Sequence, residues 1–579
     1  MLVVALSGSA AANPGRGNGH ETHDEHHGPD EPTLNRFATT VAGAEFTGMF
    51  LSEDGQLFFN VQHPSTAEGD SVAEGYLPGA VGAVTGVDMN DLPADFSSVQ
   101  PPKGPATRVK TAAGDYQVLA EGGDETVNGK KLGVPYNADG EPMTTGANPD
   151  FNGFVPTDDE SNEGYLFTNW ETQPGMVSRI HISQSRNQGK WTVHEKRNLD
   201  FRPVEGTWNN CFGTVSPWGT PLTSEEYEPD AYTWFHPKKT GYGNPEESFE
   251  EYLGYSGNPY RYGYIVEIED PTADEPTPVK RYSMGRFSHE NSVVMPDQQT
   301  VYMSDDGTGT VFFKFVADEP GDLSSGTLYA ARARQERGYN PADVGFSLDW
   351  IELAHTTDKQ VEQWIAEYDD QDPSTDPDYV TDDEIQRWAN GNAADDRAAF
   401  LESRAAAAAV GATDEFRKME GVNIKRDAQP GDFLYMAMSE VNETMADQEG
   451  DLQLKGNNYG AIYRMRLDGR YNVHKMEPVV TGGPNANVCG GCPYDAAPNS
   501  KSTVCQDCEF NPTKQDENGI VGAGMQKMKG TFSRQEIDPE NTIANPDNLL
   551  VMRDGRVIIG EDSDLHRPNM MWILNPGQQ

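Results

Sequence analysis

Positive charge is scarce in this sequence: 44 Lys+Arg stand against 92 Asp+Glu in 579 residues, for a formal net charge of -48. A chain so short of cations repels a phosphate backbone, which excludes nucleic-acid binding. Long apolar runs are missing too. The apolar stretch at the start is too short to span a bilayer, so no transmembrane segment is expected. There is no Gly-rich P-loop, no His-Glu-x-x-His and no Gly-x-Ser-x-Gly. Their absence removes the signatures of P-loop nucleotide hydrolysis, zinc proteolysis and the serine-nucleophile elbow. Cysteine is limited to five residues.

Aromatic residues are not scarce. With 23 Tyr, 23 Phe and 9 Trp the chain has material for a core, whereas disordered acidic chains are poor in such residues. The charge therefore belongs to a folded protein with a hydrated carboxylate surface, suited to an extreme-halophile environment where salt screens self-repulsion. A cytosolic origin would fit that charge equally well. Location is instead addressed by residues 1–12, an apolar run closing on Ala10-Ala11-Ala12. This run reads as a signal-peptide remnant without its charged region, and implies secretion or cell-surface exposure. Residues 13–36, with His20, His23, His26 and His27, read as a disordered His/acidic tail. Residues 37–579 form the expected folded domain.

One short pattern recurs: a turn signal, four to six apolar or aromatic residues, then Asp, Glu, Asn or His. It occupies residues 53–63, 163–171, 218–226, 296–306, 430–440 and 553–562. Apolar runs bounded by Gly, Pro and Asp predict strands buried on both faces. Six such units imply an all-β, six-bladed β-propeller-like fold, with a large sandwich as the alternative. In a propeller, N-terminal strands would close the ring against C-terminal ones. A helical insertion is expected over 355–420, from the spacing of Val361, Trp364 and Ile365 and from Ala405 through Ala409, stopped by Gly411.

Carboxylates that directly follow buried apolar runs are candidate ligands, because an unpaired buried charge is costly. The strongest cluster joins Trp208-Asn-Asn-Cys211 to Thr223-Ser-Glu-Glu226. Carboxylate and amide oxygens suit calcium, and the thiolate prefers a softer partner such as iron or zinc. Separately, Cys489-Gly-Gly-Cys492 and Cys505-Gln-Asp-Cys508 define a small four-cysteine loop, 485–515. Two C-x-x-C pairs suit a structural Zn2+ site, or two disulfides if the protein is secreted.

Several motifs resemble the signature of PhoX-type alkaline phosphatases. They are Thr207-Trp-Asn-Asn-Cys-Phe-Gly213, Pro217-Trp-Gly-Thr220, Thr223-Ser-Glu-Glu226, Gly285-Arg-Phe-Ser-His-Glu290, Tyr302-Met-Ser-Asp-Asp306 and Gly43-Ala-Glu-Phe-Thr-Gly48. The resemblance runs from about Phe46 to Pro576. It implies a secreted propeller, exported folded by a twin-arginine type route, that hydrolyses phosphate monoesters at a cluster of Fe3+ and Ca2+. Carried over, Cys211 would be an iron ligand. Glu226, Glu225, Glu290 and Glu420 would be carboxylate ligands, and Asp547, Asn548, Glu561 and Asp562 would lie where the family has acidic and amide ligands. Glu45 and Glu171 complete the expected metal set.

Two departures stand out. Where the family has a phosphate-contacting arginine, this chain has Lys418, with Arg417 beside it; lysine offers a point charge without bidentate recognition. Trp170 stands where relatives commonly have His. The expected activity is that of a monomeric metal-dependent phosphatase, with Cys211, Lys418 and Arg417 at the reaction centre and small phosphorylated substrates. A non-catalytic calcium-binding propeller and a propeller lactone hydrolase remain the alternatives.

Overall fold

The computed structural model describes residues 32–67, 70–102, 105–158, 161–236, 245–371, 377–483, 527–528, 535–536, 542–566 and 568–577. The His-containing tail and the cysteines of the 485–515 loop lie outside the described residues.

The protein is mostly β with few helices, and its sheets are antiparallel. Strands following one another in the chain pair with one another, giving four-stranded runs. The first comprises Glu45–Leu51, Leu57–Gln62, Ala80–Thr85 and Asp115–Glu121. Next are Pro149–Pro156, Glu163–Trp170, Met176–Gln184 and Trp191–Asn198. The third run is Asn210–Val215, Pro221–Glu225, Ile265–Glu269 and Thr277–Lys280. His289–Val294, Thr300–Asp305, Phe313–Glu319 and Asp322–Gln335 make the fourth. The fifth is Met419–Ile424, Phe433–Met438, Ala461–Arg466 and Lys475–Thr481. Phe346–Thr357 bridges the outer edges of the fourth and fifth. The last run joins Pro546–Val551, Val557–Glu561 and Met570–Asn575 to the N-terminal strand Thr33–Thr39. The ends of the chain therefore share one sheet, as expected of a closing strand.

That strand begins inside the stretch expected to be disordered tail. Leu34 is buried in the core of the last run, and the Arg36 guanidinium lies 4.7 Å from the centroid of the Trp572 ring. Pairing with Met570–Asn575 gives Thr33 to Arg36 a defined place that composition alone does not reveal.

Side chains of each run hydrogen-bond to the backbone of the next run's first strand. Thr47 Oγ1 donates to Pro149 O at 2.6 Å, and Asn169 Nδ2 donates to Cys211 O. Ser224 Oγ reaches Glu290 O at 2.6 Å, Asn291 Nδ2 reaches Val422 O at 3.1 Å, and Asn423 Nδ2 reaches Leu549 O at 3.2 Å. Gly48 N then donates to Asn548 Oδ1 at 2.7 Å, which returns to the first run. Gly48 has φ +57, and a Cβ there would sit 2.1 Å from Asn60 Nδ2. Only glycine fits this approach. Asn548, expected as a metal ligand, is thus an inter-sheet tie whose amide donates weakly to Asp547 Oδ2 at 3.2 Å.

Helices occupy only part of the expected 355–420 insertion. They are Asp358–Ala366, Asp382–Ala389, Arg397–Leu401 and Ser403–Ala409. Thr381 forms a capping box with Glu384, and Gly411 takes φ +86 just past the alanine helix. Val361, Trp364, Ile365 and Phe400 bury their side chains in the same core cluster as Met284 and Leu328. Residues 355–357 belong to a strand, and Phe416–Arg417 and Met419–Ile424 resume β structure before 420.

Candidate metal centre

All six runs place acidic or thiol side chains at one end by the same device. The first strand pairs with the end of the second at Glu45–Gln62, Pro149–Trp170, Asn210–Glu225, His289–Asp305, Met419–Met438 and Pro546–Glu561. In five runs the register shifts directly after that pair, and in the first it shifts past Thr47; such bulges re-aim neighbouring side chains. The second residue of the first strand is Asp150, Cys211, Glu290, Glu420 or Asp547 in five runs; the first run offers Glu45. The residue just past the second strand is His63, Glu171, Glu226, Asp306, Ser439 or Asp562.

These side chains converge. Cys211 comes together with Glu226 and Glu290, and also with Asp150 and Glu171. Glu290, Glu420 and Asp547 form an adjoining group, and Glu45, Asp547 and Asp562 another. Within each group, donor atoms lie within 4.8 Å of one another. Cys211 Sγ is 3.1 Å from Asp150 Oδ2. Asn209 Nδ2 bridges Glu171 and Glu226 at 3.2 Å each, Gln62 Nε2 holds Glu171 at 2.9 Å, and Ser439 Oγ holds Glu420 at 2.6 Å. His63 Nε2 contacts Glu45 Oε1.

Among the described residues, one ammonium stands within the cluster against these carboxylates. Lys418 Nζ lies 2.7 Å from Asp306 Oδ2 and 3.3 Å from Glu420 Oε1. Burial disfavours its charge, but Glu420 and Asp306 outweigh burial and hold it protonated. Burial also works against charge on Asp306, yet Lys418 keeps that carboxylate below its ordinary pKa. The others move upward. Burial, then Asp150, Glu226 and Glu290, raise the Cys211 thiol; burial and mutual repulsion raise Asp150, Glu226, Glu290, Asp547 and Glu45. Glu420 is pushed to about 7 by burial and by Asp306. Bound cations would reverse this pressure, because an adjacent positive charge favours the ionised ligand. Among the described residues, Glu290 Oε1 and Asp150 Oδ1 are buried without a hydrogen-bond partner. A thiol, several carboxylates and two such oxygens fit metal ions as a donor set.

Not every expected ligand joins. Glu225 faces away: its Oε1 lies 2.9 Å from Lys280 Nζ, and it accepts from Thr207 Oγ1 and the Trp208, Gly263 and Tyr264 amides. Glu561 likewise holds His566, Trp572 Nε1 and the Ala544 and Met570 amides. Both are structural clamps, since successive side chains of a strand point to opposite faces. Arg417 is engaged by Glu440 at 2.7 Å and by Thr308, not by the cluster. Trp170 is core, donating to Ser178 Oγ at 2.9 Å.

Asp150, Asp306 and Ser439 are absent from the set expected from sequence. Asp150 was detectable: it stands before an apolar run in the place Cys211 and Glu290 hold in theirs. Backbone strain also marks the site. His63, Asn209, Tyr227, Lys418 and Asn545 are non-glycine residues with φ between +33 and +51, and such conformations concentrate at functional sites.

The profile of the family described as Alkaline phosphatase PhoX matches residues 184–578. The chain belongs to the PhoX alkaline phosphatase family. It is accordingly a phosphatase enzyme, of a metal-dependent family. PhoX of Pseudomonas fluorescens, solved with vanadate as a transition-state analogue, is similar in structure with a TM-score of 0.51 and 20% identity; the match covers 94% of this chain and 87% of that one. A virginiamycin B lyase of Staphylococcus aureus, a catalytically inactive variant bound to quinupristin, has a TM-score of 0.35 at 10% identity, over 94% and 99%. No curated protein matches the sequence.

Proposed function

We propose that this PhoX-family phosphatase is a secreted phosphomonoesterase of salt-rich surroundings that works at a calcium and iron cluster. A six-bladed propeller would carry the cluster at one end of its channel. The observation that carries this reading is the Cys211 thiol among Asp150, Glu226 and Glu290. A phosphate dianion would be repelled by so many carboxylates offset by one ammonium, so resident cations are needed before substrate can enter. Cys211, Glu226 and Glu290 would hold iron, the thiolate supplying the soft donor; Glu45, Glu420, Asp547 and Asp562 would hold calcium. When bound, such ions polarise the phosphoryl group and neutralise charge on it.

The remaining work falls to protein groups. Lys418, kept protonated by Asp306 and Glu420, would donate to a phosphoryl oxygen and orient it. Asn209 and Gln62 hold Glu171 and Glu226 in place. Arg417, bound to Glu440, would keep the Lys418 turn in register. Secretion is supported by family membership; the acidic composition suits high salt in either location. Export in a folded state by a twin-arginine type route would suit a site assembled from six distant segments. No described helix is long and apolar enough to cross a membrane. We further propose a monomer, and that Cys489, Cys492, Cys505 and Cys508 hold zinc.

The test is elemental analysis together with p-nitrophenyl phosphate turnover in high salt with calcium. Iron and calcium with turnover are expected; calcium without iron or turnover overturns the reading. Cys211→Ser should lose iron and activity together. Stoichiometric zinc, with four thiols alkylatable after chelation, is expected of the four-cysteine loop.

A further inference from the structure

Tyr227 follows Glu226 directly and lies outside the donor set, yet it is tied to the site more firmly than an exposed loop residue. Its backbone N donates to Ser288 Oγ at 2.8 Å, and its carbonyl accepts from Trp208 Nε1 at 2.9 Å. It adopts φ +51, a conformation a bulky non-glycine residue takes only when its surroundings impose it. Although the residue is 46% exposed, its phenol turns inward and Oη donates to Asp306 Oδ2 at 2.7 Å.

The same Asp306 oxygen accepts from Lys418 Nζ at 2.7 Å, and Nζ stands 3.4 Å from Tyr227 Oη. Lys418 also has φ +51, in the turn immediately before Met419–Ile424. Two strained residues, from different runs, thus meet at one carboxylate oxygen. The phenol has one hydrogen, directed at Asp306, so its lone pairs remain for the ammonium. An ammonium on a flexible four-carbon stem has no fixed fork and is oriented only by the acceptors around it. Here those acceptors are Asp306, Glu420 and Tyr227.

We propose that Tyr227 is a positioning residue: it fixes the Lys418 ammonium, through Asp306 and its own hydroxyl, in the orientation that receives a phosphoryl oxygen. The inference rests on the phosphatase reading above. Tyr227 makes no metal contact in this scheme. Its effect on phosphate runs wholly through Lys418.

The experiment uses the full chain loaded with calcium and iron, and the variants Tyr227→Phe, Lys418→Met and the double variant. Tyr227→Phe keeps the ring and removes only the hydroxyl. It should lower kcat/KM for p-nitrophenyl phosphate about tenfold and weaken inorganic phosphate binding by a similar factor, the loss expected for one hydrogen bond near a charge. Metal content and Tm should not change. In the Lys418→Met background the second substitution should add nothing, because coupled residues are non-additive.

Wild-type kcat/KM and phosphate affinity in Tyr227→Phe would overturn the inference. So would an additive loss in the double variant, or a fall in bound metal. If the loaded wild-type chain hydrolyses no phosphate ester, the phosphatase reading fails instead. Calorimetric binding of inorganic phosphate to the same variants then still decides whether Tyr227 acts through Lys418.

Discussion

Lys280 Nζ lies 2.9 Å from Glu225 Oε1, and both side chains are fully buried. The pair sits directly behind Glu226, so one residue of the Glu225-Glu226 step is structural while the next faces the metal centre. Asp305-Asp306 and Glu561-Asp562 repeat the arrangement: Asp305 receives Arg404 and the Val311 amide, and Glu561 receives His566 and Trp572.

The two members of a pair should therefore respond oppositely to substitution. Glu225→Gln leaves the Lys280 charge buried without a counter-ion and should destabilise by about 3–5 kcal/mol. Glu226→Gln should leave the cation-free protein as stable or more so, because it relieves repulsion, while metal affinity falls. Urea unfolding with and without chelator separates the two.

Metal removal should make stability depend on pH in a definite direction. In the cation-free fold Glu420 has a pKa of about 7, against the lower value of an unfolded glutamate. The folded state then binds more protons across that interval, so stability is greatest below about pH 4.5 and falls as pH rises to 7. Bound cations should abolish the slope. Tm measured from pH 5 to 8, in chelator and in calcium with iron, checks this.

Much of this arrangement was legible because a buried strand announces itself by an apolar run, and all six recurring units coincide with second strands ending at the metal centre. Glu226 was found for that reason, Cys211 as the thiol clustered with it in sequence, and Glu290 through the family motif Gly285-Arg-Phe-Ser-His-Glu290. The orientation of adjacent acids was not legible. Glu225 and Glu226 carry the same charge in the same motif, and which of the two faces the site follows from how their strand pairs with its neighbours, Glu225 opposite Asn210. Nor could sequence place Asp306 against Lys418, 112 residues away. Such contacts come from the closed order of the sheets, which no local pattern encodes.

The N-terminal strand offers a test of that closure. Leu34 is buried with Val557, Trp572 and Leu574 in the core of the last run. Leu34→Ala should cost about 2–5 kcal/mol, as for other core leucines. The loss should appear in the global unfolding transition, since the strand joins the two ends of the chain. A separate early transition without change in the main one would show that the strand is an appendage.

Lys314 provides a titration remote from the metal centre. Its ammonium donates to Asn472 Oδ1 at 2.8 Å and lies 4.6 Å from the centroid of the Trp350 ring and 4.7 Å from that of Tyr329. Burial lowers its pKa to about 8, against the pull of Asp468. The unfolded chain holds that proton up to about pH 10.4. Between these values the unfolded state binds more protons, so the Lys314 contribution favours folding increasingly as pH rises. It is fully present above the unfolded value and lost as pH falls through 8. Lys314→Met removes the titration, so its stability relative to wild type should be highest at pH 7 and decline toward pH 10. A constant difference between the two proteins across that range would refute the burial of a charged Lys314.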